Sequence, residues 1–426
     1  MTNLIRLVTA LILFTLTITH VFAQNSPFPN PEIMISDDVN LKSIYIHNIN
    51  QNIGVPYAKL GETFAISFDD LDNDQKNYFY TVEHYDSNWE KSDIFDTDYI
   101  EGYNEGSIKD YAYSFNSLEK YTHYSFRFPN NSMRLLISGN YLLKVYLDDP
   151  SEPAFVRRLV IYEDIVTIGA KVDRATIVSK RDTEHQIKLT LNHKDLTIDN
   201  PAQEVNVTIL QNNTWDNGIY GLQYQYIGNN TLIYNYNDKM NFTAGNYFYH
   251  FDTKSIQTAG LYTDYIRLED IYNIFLYTNE PRYSYPYSSQ QDYNGGFVLR
   301  SIDGGDTATE GDYTLVHFSL KTDIQYHNKD IYVYGAFNDW RLEEDNKLIY
   351  DKDYEVYKTN ILLKQGYYDY KYVVVDKKNN EFMPDAISGS FYQTENNYSI
   401  IVYYRSMDSR YDRVVGFYQL RSFEMF

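Results

Sequence analysis

The sequence predicts an all-β protein built of β-sandwiches in series, and three observations carry that prediction. Apolar residues alternate with polar ones in many short runs, such as Phe64, Ile66, Phe68 and Ile187, Leu189, Leu191, the period of a strand with one buried face. Clusters of Gly, Asn, Asp and Ser separate those runs as turns. No run of helical period is long enough to build a helical domain, and tyrosine, a strand former with one wet end, supplies 46 of the 426 residues.

The chain opens with one cation, Arg6, an apolar run at 7–18 and Val21-Phe22-Ala23 before Gln24. This is the pattern of a cleaved signal peptide over residues 1–23. An uncleaved anchor is the alternative, but the apolar stretch is short, and no later run reaches the roughly eighteen residues of a span, so no direct membrane span is expected. A proline-rich lead at 25–31 follows and is expected to be irregular.

Strands are then expected at 44–46, 64–68, 78–83, 111–115, 124–128, 141–146 and 155–162, enough for one sandwich over 24–164. The runs at 64–68 and 78–82 flank the acidic turn Asp69-Asp70-Leu71-Asp72-Asn73-Asp74 and read as a hairpin. A second sandwich over 165–300 takes strands from 166–168, 186–192, 205–209, 247–251 and 271–277. The stretch 301–312, with three glycines and no apolar face, reads as a linker or hairpin tip. A C-terminal domain over 313–426 completes the chain.

Charge and cysteine content narrow the function. A net charge of −21 argues against a nucleic-acid partner and against direct binding to anionic lipid. With no cysteine there is no disulfide framework and no lipid-carrying cysteine after the leader, so stability rests on apolar burial.

Chemistry-bearing motifs are few. Asp70, Asp72 and Asp74 have the spacing that opens many calcium loops, yet Gln75 stands at the sharp-turn glycine position and Thr81 at the bidentate one, so a solvated acidic turn is expected. The nine histidines form no zinc motif, and His84 and His123, set among aromatics, read as hydrogen-bonded structural residues. There is no nucleophile elbow and no phosphate loop, and no cofactor is expected. Carboxylate pairs of the glycosidase kind remain open among 58 acidic residues, because such pairs meet only in space. Trp89 and Trp215 read as core anchors at sandwich corners.

Many short runs in one order resemble the plug protein family of the Bacteroidota type IX secretion system. They include 64–74, Tyr78-Phe79-Tyr80-Thr81-Val82, His84-Tyr85-Asp86-Ser87-Asn88-Trp89, Tyr99-Ile100-Glu101-Gly102, Ser138-Gly139-Asn140-Tyr141, Arg174-Ala175-Thr176, Asn212-Asn213-Thr214-Trp215-Asp216-Asn217 and Asn396-Asn397-Tyr398. The likeness spans nearly all of the mature chain. It implies a non-enzymatic periplasmic protein that closes the periplasmic mouth of a giant outer-membrane β-barrel translocon, its partner subunit, while no substrate is engaged.

A second resemblance lies in the last domain. Ile331-Tyr332-Val333-Tyr334-Gly335-Ala336-Phe337-Asn338-Asp339-Trp340, with Gly366-Tyr367-Tyr368-Asp369-Tyr370-Lys371-Tyr372, is similar to the glycogen-binding immunoglobulin-like carbohydrate modules. This resemblance makes the expected domains immunoglobulin-like and the last one an early-set module. Trp340 and Lys371 fall on the family's sugar-contacting positions, and Phe382 stands where that family has a second tryptophan. Those three residues are candidate contacts for sugar or for a protein partner, and a carbohydrate-binding protein is the alternative reading. An integral outer-membrane barrel, suggested by the aromatic strands and Phe426, is the third; its strands would need about nine to eleven residues, more than most expected here.

Overall fold

The computed structural model describes residues 34–50, 54–322, 326 and 328–422; the leader, the proline-rich lead and Phe426 lie outside the described residues. The described chain is almost entirely strand and turn, with helices of only three or four residues. None of those helices is long and apolar enough to cross a membrane.

In the first sandwich, one sheet runs Met34–Ile35, Phe155–Tyr162, Gly139–Tyr146, Phe79–Tyr85, Gly106–Ser107, with Tyr57–Lys59 joining Phe155–Tyr162 in parallel. The other runs Leu41–Asn48, Phe64–Asp70, Thr122–Phe128, Asp110–Tyr113. Alternation decides what meets between them. Phe64, Ile66 and Phe68 face Tyr80, Val82, Tyr141, Leu143 and Val145, and the Phe68 ring stacks on Tyr124 at 5.2 Å.

The acidic turn does not close a hairpin. Phe64–Asp70 and Phe79–Tyr85 belong to opposite sheets, and the chain between them crosses from one layer to the other. Period-two patterning reports the buried face of a strand, and both strands do face one core, where Phe68 meets Tyr78 edge-on at 5.1 Å. It carries no information about lateral partners.

The second sandwich pairs the sheet Thr167–Arg174, Glu184–Asn192, Thr231–Tyr234, Tyr226–Gly228 with the sheet Thr214–Ile219, Val205–Gln211, Asn397–Tyr404, Arg413–Arg421. Ile187, Leu189 and Leu191 share the buried face, as do Val205, Val207 and Ile209. Half of the second sheet therefore comes from the end of the chain. Ile400 and Val402 pack into this core, so residues 397–421 are not part of the last domain, as the division at 313 would have them.

The strands Tyr249–Asp252 and Tyr272–Leu276, expected in the second unit, instead join the third. There Phe251 stacks on Tyr368 at 5.3 Å, and Ile274 and Leu276 share a core with Val316 and Phe318. The third sandwich is thus an insertion in the second, built of one continuous path through Gly366–Asp376, Lys329–Tyr334, Lys347–Asp351, Val356–Lys364 and Tyr313–Leu320. The stretch 301–312 is exposed in its first half but packs in its second: Phe115 N donates to Thr309 O (2.8 Å), and Leu118 N donates to Asp312 Oδ1 (2.7 Å).

Candidate functional site

The three sandwiches touch one another pairwise, and the chemistry-bearing side chains collect where they meet. Strand Phe155–Tyr162 is buried on both faces: Leu159 and Ile161 point into the first core, while Val156 and Val160 point at the second sandwich. There they join Leu210, Trp215, Ile401, Tyr403 and Val414 in a cluster made like a domain core. Trp89 and Trp215 meet edge-on at 5.0 Å, and the Arg158 guanidinium lies over Trp89 at 4.6 Å. Polar contacts ring this cluster. Ser87 N donates to Asp412 Oδ2 (2.7 Å), Arg413 bridges to Glu163 (2.8 Å), and Tyr403 OH donates to Asn140 Oδ1 (3.0 Å). The tryptophans are core anchors, as their sequence setting suggests, of a core shared by two domains.

The first and third sandwiches meet through a buried charge. Asp69, next to last in its strand, lies on the outer face of the first sandwich, where Lys364 Nζ reaches it at 2.7 Å, and both side chains are 1% exposed. Tyr313 OH donates to the same oxygen at 2.7 Å, and His123 Nδ1 donates to the other at 2.6 Å. Burial lowers the Lys364 pKa, and the Asp69 carboxylate opposes that shift. Lys364 Nζ also donates to Ala308 O (2.8 Å) and stands 4.2 Å from the Tyr121 ring centre. His123 is thus a hydrogen-bonded histidine. So is His84, which lies between Ser92 Oγ (2.8 Å) and Ser138 O (3.3 Å), and burial pulls its pKa down to about 4.

Trp340, Lys371 and Phe382 come together around a residue that sequence reasoning did not single out, Tyr334. Strand register sets Lys371 opposite Tyr334. The Trp340 and Phe382 rings stand 5.1 and 5.6 Å from Tyr334, and Lys371 Nζ lies 5.9 Å from that ring and 5.8 Å from Phe248. Phe382 is 39% exposed, whereas Tyr334 is buried. Desolvation lowers the Lys371 pKa.

The corner is hemmed in. A Cβ on Gly295 would come within 2.1 Å of the Trp340 ring, and that residue has φ +84, so glycine alone lets the 292–296 loop lie against the indole. The preceding Asp339 accepts from Arg157 Nη2 of the first sandwich at 2.7 Å. The turn that resembles a sugar-binding loop is thereby tied to a neighbouring domain.

Two further carboxylates pin that loop. Asp369 Oδ2 accepts from Tyr293 N (2.5 Å) and Gly295 N (3.2 Å), while Asp292 accepts from Phe248 N (2.7 Å) and Asn294 N (3.0 Å). Burial, reinforced by the nearby Asp292, pushes Asp369 up to about 8; burial pushes Asp292 up to about 6. Asp369 is 0% exposed and its Oδ2 is spent on backbone N–H groups, an arrangement that suits holding a loop rather than meeting substrate.

Asp70, Asp72 and Asp74 do converge, their oxygens within 4.8 Å of one another. Lys76 occupies the positive end of that cluster: its Nζ lies 2.9 Å from Asp70 and 3.5 Å from Asp74 and is bonded to Asp72. The carboxylates raise the lysine's pKa, holding it charged as a counter-ion within the chain. Neither the lysine nor the Asp69 pair was flagged by motif spacing. The one signal available was a charge at the end of an apolar strand.

A family model described as the type 9 secretion system plug protein first domain matches residues 41–163, the first sandwich. Among solved structures, the crystal structure of a hypothetical protein from Parabacteroides merdae ATCC 43184 is similar to the chain with a TM-score of 0.87 at 31% identity. That match covers 92% of this chain and 100% of that one. No curated protein sequence matches. The family match makes residues 41–163, the first sandwich, a first domain of the type 9 secretion system plug protein family.

Proposed function

We propose that the protein is a non-enzymatic periplasmic plug, exported by a cleaved signal peptide, that docks on the inner side of the outer membrane. There it closes the periplasmic end of the giant β-barrel translocon when no substrate is engaged. The observation that best supports this reading is the mutual clamping of three sandwiches. The second shares a core with the first around Trp89 and Trp215, and the third is inserted in the second and tied back to the first through Asp69 and Lys364. Obstructing a wide aqueous passage calls for volume and stiffness, which such a body supplies without a reactive pocket. Release then requires only that substrate or another subunit compete with docking, a shift of populations. Deleting the protein from cells that retain the translocon is expected to admit large hydrophilic dyes through the outer membrane. Unchanged permeability would refute the proposal.

Carbohydrate binding at Trp340, Lys371 and Phe382 is the second reading, favoured by the exposure of Phe382 beside the Tyr334 ring. Against it stand the burial that disfavours the Lys371 charge and the tether from Asp339 to Arg157. Calorimetric titration with an α-glucan separates the two. The plug reading expects no heat of binding, and the carbohydrate reading expects binding that Trp340→Ala abolishes.

A further inference from the structure

The third sandwich covers the outer face of the four-stranded sheet in the first sandwich at its Asp69 end, as far as Phe297 against Tyr45 at 5.6 Å. The other end of that face is an open trough of about 770 Å³. Register places His47, Ala65 and Arg127 in one row across three strands, and Ser67, Ser125 and Asp110 in the next. The floor is therefore small and hydroxylated, and Ile66, Tyr80 and Phe126 add apolar lining beside the polar side chains. Lys109 joins Arg127 at the rim; both are exposed, and neither forms an ion pair among the described residues. Asp110 is the one carboxylate of the lining among the described residues. His47 Nδ1 is buried, with no hydrogen-bond partner among the described residues, so it faces away from the opening.

We propose that this trough binds a short, extended, carboxylate-bearing peptide segment of a protein partner. Charge complementarity picks out the ligand. On a chain of net charge −21, two cations left without carboxylates flank a concave floor. Arg127 matches a carboxylate in the planar, two-point manner of a guanidinium, and Lys109 supplies a second point charge. Ser67, Ser125 and Ser107 offer hydroxyls that both donate and accept, which suits the alternating groups of a peptide backbone. A long polyanion is disfavoured by the chain's net charge of −21. The site deepens the plug reading by naming the kind of surface its partner presents, and it rests on that reading only for the partner's identity.

The test uses the purified mature protein and a fluorescein-labelled ten-residue peptide of alternating Glu and Thr, with the Gln–Thr peptide as control, followed by fluorescence anisotropy. The Glu peptide is expected to bind about tenfold more tightly than the Gln peptide or better, and to weaken between about 50 and 300 mM NaCl. The variant carrying Lys109→Gln and Arg127→Gln, both at exposed positions, is expected to lose about tenfold in affinity with its melting temperature unchanged. Equal binding of the two peptides, or full affinity in the variant, overturns the proposal. So does inorganic phosphate that matches the Glu peptide in affinity, since that marks a small-anion site. The assay contains no translocon, so its failure and a failed leakage test are separate results.

Discussion

Replacing Lys364 by methionine removes the ammonium that the third sandwich presents to Asp69. Both groups are 1% exposed and stand 2.7 Å apart, so the orphaned carboxylate keeps only His123 and Tyr313 as partners, with no water to compensate. Deleting one member of such a pair costs about 3–5 kcal/mol, whereas replacing both members together is often close to neutral. The single variant is therefore expected to melt on the order of 10 °C lower in calorimetry. Adding Asp69→Asn removes the uncompensated charge and should recover more than half of that loss. The double-mutant cycle then gives a coupling of about 2 kcal/mol or more. Because a three-domain chain need not unfold in one step, the comparison is made on the first transition, where the junction opens. Single variants that each cost under about 1 kcal/mol and simply add would mean that water reaches the pair, and that the third sandwich is not docked as described.

Trp215→Ala opens a cavity between the first two sandwiches beside Trp89 and Arg158 and is expected to destabilise by about 3–5 kcal/mol, measured by urea unfolding. Asp369 binds its proton more tightly when folded, about 8 against an ordinary 3.8, so its contribution to stability is full below about pH 4 and is lost as pH rises through 8. Asp292, raised to about 6, acts in the same sense over a narrower range. Asp369→Asn should thus flatten the fall in melting temperature between pH 4 and 8, and a profile parallel to wild type would contradict the burial argument. Calcium at millimolar concentration is expected to leave the melting temperature unchanged, because Lys76 Nζ already occupies the point where Asp70, Asp72 and Asp74 converge. A saturable rise of several degrees would show the lysine displaced.

The fold class could be read from the sequence because alternation is local: Ile187, Leu189 and Leu191 announce a buried face whatever lies beside them. Lateral pairing is not local. Nothing in the run 397–404 says that it pairs with 205–211 across an inserted domain, and the apparent hairpin around the acidic turn failed for the same reason. The three candidate residues of the last domain do gather, since a turn and two neighbouring strands fix them. Their setting against Tyr334, Gly295 and Arg157 depends on contacts up to 182 residues apart. Asp69 and Lys364, 295 residues apart, were invisible for that reason, although a charge closing an apolar strand was a hint that it had a partner.

The central claim is that the protein acts by filling an opening. Its most direct test is the conductance of the purified translocon in a planar bilayer, before and after the plug protein is added from the periplasmic side. The account predicts that stoichiometric plug protein closes the large conductance and that the closed complex purifies as one particle. A conductance left unchanged, with the protein eluting alone, would contradict it.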